Sequence, residues 1–356
     1  MDGTSLPIGP ASNGGRLDGL QIVRAVAALS VVFYHVGQEF GVTVIRGIKL
    51  SWGIAGVDLF FVISGFIIAR TMSRCPTGRE FAVRRIARIL PLYWGATILV
   101  AMVANIEPTL LKSTHASLVE IIKSMLFIPY VRSSGAIQPV LFPGWTLNYE
   151  AFFYALCGLA LIAKLSVRTV AVVMIGLAFI GYVANPVSLF ARFYTEPFLL
   201  EFVTGILVYE LLSKYSLSAT QRRALLVSGA LLIITQISLG MELASLAWRP
   251  LLVAVPFAFV VVGSTSPEPL RTAGGRAFAM LGDSSFALYL LHPFVMRIVH
   301  LTFSRLGLNA INSAAIATLA AASAAIALAI AVYRVYERPL GKKVTNYLLP
   351  DRQTAS

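Results

Sequence analysis

An arginine and a histidine stand eleven positions apart in the apolar run LDGLQIVRAVAALSVVFYHVG: Arg24 and His35. Eleven helical residues make three turns and a small remainder, so the two share roughly one face, with His35 about 16 Å further along the axis. Ionisable groups inside an apolar segment cost free energy to insert and are candidates for function on that ground. A cation at one mouth of a membrane helix and a titratable imidazole deeper in it suit an elongated donor that threads inward. The bland alternative is an arginine that snorkels to the interface and a hydrogen-bonded histidine at a helix end.

Four further segments carry groups of the same kind. WGIAGVDLFFVISGFIIA sets Asp58 a few residues inside a second apolar segment, where a carboxylate could orient the His35 imidazole and stabilise its protonated form. Ser64 and Gly65 in that segment read as small residues for close helix packing. FAVRRIARILPLYW offers Arg84, Arg85 and Arg88 just ahead of Pro91, guanidinium forks able to hold phosphates, although basic residues are ordinary beside a membrane helix. PGWTLNYEAFFYAL puts Glu150 about one and a half turns into an apolar helix, as an acid/base partner or as an acceptor for a sugar hydroxyl. In DSSFALYLLHPF, His292 precedes Pro293 and reads as structural or cavity-lining rather than catalytic. Glu196 and Glu201 could line the same cavity, Glu337-Arg338-Pro339 reads as a helix stop with a local ion pair, and His115 and His300 look incidental.

The elements that position these groups follow from composition. The chain has 356 residues, 57% hydrophobic and only 13% charged, and a mean hydropathy of +0.79. A soluble domain carries about 25% charged residues, whereas segments near 18 apolar residues are long enough to cross a bilayer as helices. The fold class is therefore all-α, a polytopic transmembrane bundle. Ten spans are expected near 20–37, 53–70, 89–104, 145–163, 169–184, 197–212, 224–240, 250–265, 279–303 and 311–333. With the N-terminus cytoplasmic, nineteen Lys and Arg fall on the cytoplasmic side and nine opposite, which the positive-inside rule requires of ten spans with both termini inside. The net charge of +13 thus records topology and contact with anionic lipid, and no nucleic-acid partner is expected. Leu118–Ile128 is too short to span and is expected to lie along the surface or re-enter. Residues 1–17 read as a flexible cytoplasmic tail, 18–340 as the membrane domain and 341–356 as a basic cytoplasmic tail. Cys75 and Cys157 have the spacing of neither a disulfide framework nor a zinc site, and no metal is expected.

Arg24 with His35, GVDLFFVISGFII, Arg85 with Arg88 before a proline, WTLNYE, SSFALYLLHPF and the terminal YERP form an ordered set. From about Leu17 to Leu340 that set resembles the acyltransferase-3 family of membrane acyltransferases. The resemblance implies O-acetylation of extracytoplasmic glycans, with acetyl-CoA as donor, in the inner membrane. It implies that His35 is the catalytic histidine, that Arg24, Arg85 and Arg88 are donor-side arginines, and that Glu150 is the acidic end of the tryptophan motif. Thr146 stands where the family has serine and keeps the hydroxyl. Only a short basic tail follows the tenth expected span, as in the compact members associated with exopolysaccharide. Such a chain would act on the carbohydrate acceptor itself or hand the acetyl group to separate polysaccharide-assembly proteins. The competing reading from another class is a proton-coupled transporter of a glycan or lipid-linked sugar, which would need no thioester and no Arg85 or Arg88.

Overall fold

The computed structural model describes residues 17–45, 48–75, 77–111, 116–239, 241, 249–266, 272–308 and 311–350. Almost all of the expected 1–17 tail lies outside them, as does His115. Among the described residues fourteen α-helices are formed: α1 (Asp18–Phe40), α2 (Ala55–Met72), α3 (Gly78–Ile106), α4 (Leu118–Met125), α5 (Gly144–Ile162), α6 (Val167–Ala184), α7 (Leu189–Phe193), α8 (Leu199–Lys214), α9 (Ala219–Ser238), α10 (Arg249–Ser264), α11 (Ala273–Asp283), α12 (Ser285–Arg305), α13 (Ile311–Val332) and α14 (Arg338–Leu348). A two-residue antiparallel ladder between α1 and α2 pairs Val44 with Lys49 and Ile45 with Ile48. Among the described residues seven helical segments are long and apolar enough to cross a membrane. Three more fall on the remaining expected spans. Of these, α8 and α10 have 16 residues each, and α9 carries Arg222 and Arg223 within its first two turns. The result is an all-α, multi-pass membrane bundle.

Its surface is that of a protein solvated by lipid. Val172 and Phe179 on α6 and Leu319 on α13 are among the large apolar side chains that stand exposed, an arrangement water would penalise and acyl chains tolerate. Inside, two apolar clusters meet along α2. One gathers residues of α1, α3, α5, α8, α12 and α13, and the other joins α1 and α2 to α8 and α10. Without a hydrophobic drive between helices, close approach supplies the packing energy. A Cβ at Gly65 would lie 2.1 Å from the Phe202 carbonyl oxygen, and one at Gly205 would lie 2.0 Å from that of Val62, so α2 and α8 touch backbone to backbone. Gly65 has the packing role its sequence context suggests.

Three local features depart from expectation. The ninth span divides at Ser284 into α11 and α12. The Arg84–Arg88 run is not in a loop, because α3 begins at Gly78, capped by Thr77 accepting from the Glu80 N–H, and continues through Pro91. Glu337-Arg338-Pro339 does not stop a helix: α13 passes through a π-helical turn, Tyr333–Glu337, straight into α14. Pro339, at the second position of α14, has no N–H to bond back into that turn. The basic tail therefore begins as a helix. Leu118–Ile128 contains only the short α4, which is held by a Ser117–Glu120 capping box and leaves Leu118, Val119 and Ile122 exposed.

Among the described residues three helices contain an interior proline: Pro91, Pro256 and Pro293. Each lacks the N–H that would bond the carbonyl four residues earlier, and two of those carbonyls are met by a side chain from elsewhere. Gln236 Nε2 donates to Leu252 O at 3.1 Å, and His292 Nδ1 stands 2.8 Å from Tyr289 O. At Ala87, the glycine of α14, Gly341, approaches so closely that a Cβ there would lie 3.2 Å from the carbonyl oxygen.

Candidate active site

Arg24 and His35 occupy one face of α1, as their spacing requires, and meet different surroundings. At one end, Arg24 donates to Gln21 Oε1 and to Ser285 Oγ, both at 2.9 Å. These three residues line a cavity of about 300 Å³ together with Arg85 and Arg88 of α3, Ser64 of α2, and Thr146, Glu150 and Tyr154 of α5. Glu150 accepts from Ser64 Oγ at 2.9 Å and from the Tyr154 hydroxyl. Arg85 lies over the rings of Phe81 and Tyr154, and its buried Nε has no hydrogen-bond partner among the described residues. An orphaned buried guanidinium donor is the feature an anionic ligand would satisfy.

At the other end, His35 Nδ1 is 3.2 Å from His292 Nε2, with the rings stacked at 27° and their centroids 5.1 Å apart. Pro293 explains the arrangement. It leaves the Tyr289 carbonyl without a helical donor, and His292 Nδ1 faces that oxygen at 2.8 Å and Leu288 O at 3.3 Å. A nitrogen facing two carbonyls must carry the proton, so Nε2 of His292 is the acceptor and His35 Nδ1–H the donor to it. The proton of neutral His35 is thereby fixed on Nδ1, leaving a lone pair on Nε2. A histidine in that state is a general base.

The histidine pair has a cavity on either side. Tyr289 of the arginine-lined cavity has its ring 6.2 Å from that of His292, and its hydroxyl lies 3.1 Å from Thr146 Oγ1. Phe142, with its ring 5.2 Å from that of His35, lines a second cavity of about 320 Å³ along with Pro293. Its polar wall is Glu39, Arg132, Gln138 and Arg297, and Phe142 and Phe294 supply aromatic faces. Arg297 is anchored to the carbonyls of Leu110 at 2.6 Å and Thr109 at 3.0 Å, and His300 pairs with Glu39 at 3.2 Å.

The family model described as "Acyltransferase domain" matches residues 17–334, nearly the whole chain. This chain belongs to the acyltransferase-3 family. It is 36% identical over 316 residues to "Exopolysaccharide production protein ExoZ" of Rhizobium meliloti (strain 1021), covering 87% of this chain and 94% of that protein. It is 28% identical to "Acyltransferase MdmB" of Streptomyces mycarofaciens, covering 95% of this chain and 96% of that protein. No solved structure matches it.

In this acyltransferase the residues expected to share a site are only partly brought together. Arg24, Arg85, Arg88 and Glu150 line one cavity. Asp58 is not the partner of His35. Both its oxygens are held by Arg249, at 2.9 and 2.5 Å, and Glu201 lies buried beside it. The reason is register. A 3-10 helix, Leu50–Ile54, extends α2 outward, and Gly53 and Gly56 pack against Ser30 and Ala27 of the antiparallel α1. Asp58 is therefore level with about Ala25, roughly 15 Å along the axis from His35, and it lies about 200° around α2 from the Gly56 contact. Neither Glu201 nor Glu196, which pairs with Arg192 at 3.6 Å, is part of the arginine-lined cavity.

Three functional candidates were read as packing or left out. Ser64 touches Glu150, Tyr154 holds it, and His292 contacts His35 directly. For His292 a local signal existed. A histidine directly before an in-helix proline sits within reach of the one carbonyl the proline frees, and that fixes its tautomer. Which ring its other nitrogen meets is not a local property.

Proposed function

We propose that this acyltransferase carries an acetyl group from acetyl-CoA, entering from the cytoplasmic side of the inner membrane, to a hydroxyl of an exopolysaccharide-type carbohydrate entering from the opposite side. The observation that carries this reading is the His35–His292 pair between a cavity walled by arginines and one walled by Glu39, Arg132, Gln138, Arg297 and aromatic rings. The first suits the phosphates of a coenzyme, and the orphaned Arg85 Nε supports that fit. The second suits a sugar, whose hydroxyls need donors and acceptors and whose ring faces favour aromatic contact. The asymmetric distribution of Lys and Arg supports the orientation, with both termini and the arginine-lined mouth cytoplasmic. The likeness to a protein named for exopolysaccharide production supports the acceptor class.

The donor's phosphates rest on Arg85 and Arg88 with Arg24 further in. About 16 Å separates Arg24 from His35 along α1, within reach of an extended pantetheine arm. Glu150, fixed by Ser64 and Tyr154, accepts from an amide N–H of that arm. His35 Nε2 takes the proton of the attacking hydroxyl as its oxygen bonds to the thioester carbonyl carbon. The C–S bond then breaks, and the leaving thiolate recovers the proton from the imidazolium, giving the acetyl ester and the free thiol. The cation that forms on His35 is stabilised through Nδ1–H on His292, the role first expected of Asp58. Asp58 and Arg249 instead hold α2 to α10.

The test is release of coenzyme A thiol by the purified protein in nanodiscs, with and without a polysaccharide extract. Acceptor-dependent release that is lost in His35→Ala and in Arg85→Ala/Arg88→Ala is expected. Wild-type turnover in His35→Ala removes the mechanism, and sugar flux that needs neither a thioester nor the two arginines makes the protein a transporter.

A further inference from the structure

On the arginine-rich side a second cleft, of about 170 Å³, runs between α3 and α14. Its walls carry Arg84, Arg88, Arg338 and Lys342 against a single acidic side chain, Glu337, with Tyr333 and Thr345 beside them. Arg84 is held by Glu80 through Nε at 3.0 Å and through its terminal nitrogen at 2.8 Å, which aims it without covering its remaining donors. Arg88 is only loosely engaged by Glu337, at 3.7 Å. Arg338 and Lys342 are exposed. Arg88 also lines the arginine-walled cavity, so the cleft and the cavity share one guanidinium.

The sequence builds this cleft deliberately. Arg84 and Arg88 are four residues apart and share a face of α3, whereas Arg85 turns into the cavity. Pro91 leaves the Ala87 carbonyl without its helical donor, and Gly341 is what lets α14 lie against it. The Tyr336 hydroxyl donates to Pro91 O at 3.3 Å, and Arg79 donates to Leu348 O at 3.2 Å, clasping the two ends of α14 to α3. The π-helical turn at Tyr333–Glu337 faces Glu337 to Arg88 and leaves Arg338 and Lys342, again four apart, along the other wall.

We propose that this cleft seats the nucleotide end of the donor, with its diphosphate at Arg88 and Arg85, where the cleft meets the cavity, and its 3′-phosphate among Arg84, Arg338 and Lys342. The inference rests on the donor reading above and adds a subsite to it. Arg88 is the pivot from which the pantetheine arm enters the cavity toward Arg24, while the terminal phosphate stays at the surface of α14. A phosphoryl group is the chemistry recognised, and an anionic lipid headgroup is the other source of one on this side of a bilayer.

The experiment compares the wild-type full chain with Arg338→Ala/Lys342→Ala, and with Lys343→Ala as a neighbour outside the cleft, in nanodiscs of zwitterionic lipid and of lipid with added phosphatidylglycerol. The donors are acetyl-CoA and acetyl-dephospho-CoA, which lacks only the 3′-phosphate. The double variant should raise KM for acetyl-CoA about tenfold or more with little change in kcat, and should hardly move KM for the dephospho donor. Lys343→Ala should behave as wild type. An equal rise for both donors, no rise for either, or a defect present only with phosphatidylglycerol overturns the assignment, the last in favour of a lipid headgroup. Binding of adenosine 3′,5′-bisphosphate, weakened about tenfold by the double variant, needs no turnover. A protein that binds it but transfers no acetyl group refutes the functional reading alone, and one that fails to bind it refutes the subsite.

Discussion

Replacing His292 tests the histidine pair most directly. In the resting protein the His35 Nδ1–H to His292 Nε2 contact, 3.2 Å long, is a hydrogen bond between neutral groups, a class that contributes about 0.5–1.5 kcal/mol. When His35 takes the hydroxyl proton the donor becomes an imidazolium, and bonds to charged groups contribute about 1.5–3 kcal/mol. The difference, about 1–2 kcal/mol, exists only as charge develops, so it appears in kcat rather than in donor binding. At about 1.36 kcal/mol per decade, His292→Ala should lower kcat by at least about 5- to 30-fold. Release of the His35 ring from its fixed tautomer should deepen the loss. The arginines contact neither ring, so KM for the donor should stay within about twofold by the same reasoning. His292→Gln, whose side-chain oxygen can still accept from His35, should retain more activity than His292→Ala. Thiol release under saturating donor and acceptor is the assay, with the thermal midpoint in nanodiscs as the folding control. Wild-type kcat in a folded His292→Ala protein refutes the coupling, and so does a loss confined to donor KM.

Other expectations follow from the same geometry. Pro293→Ala gives α12 an N–H aimed at Tyr289 O and so competes with His292 Nδ1–H; kcat should fall while the thermal midpoint holds or rises, and a fall in both would mean that the proline matters only for packing. Arg249→Met strands the buried Asp58 carboxylate and should destabilise the protein by about 3–5 kcal/mol, whereas the double change with Asp58→Asn should recover much of that in thermal denaturation. Gly205→Val must push a side chain into the Val62 carbonyl, 2.0 Å from the ideal Cβ, and should cost at least about 1–3 kcal/mol or prevent folding, read from the yield of monodisperse protein. Tyr154→Phe removes a donor from Glu150 and should raise donor KM more than it lowers kcat in steady-state assays.

Much of this protein is written locally. Apolar runs long enough to span, and the crowding of Lys and Arg onto alternate connections, mark a membrane bundle before any contact is known, because lipid forces each span to satisfy its own backbone. The spacing of Arg24 and His35 fixes their common face, and the three in-helix prolines mark which carbonyls need a partner. Partners across helices are a different matter. Asp58 was expected beside His35 because a short connection joins their helices, but the 3-10 extension and the glycine contacts set the register about 15 Å away and gave the carboxylate to Arg249 on α10. His292 lies 257 positions from His35 in the chain, and no periodicity encodes that meeting. The π-helical turn between α13 and α14 likewise meets a distant partner, its Tyr336 hydroxyl donating to the Pro91 carbonyl of α3. Sequence dictates which groups need satisfying, since burial cost is a property of each group. Which group satisfies which is decided by helix register and crossing, and only the packed bundle sets those.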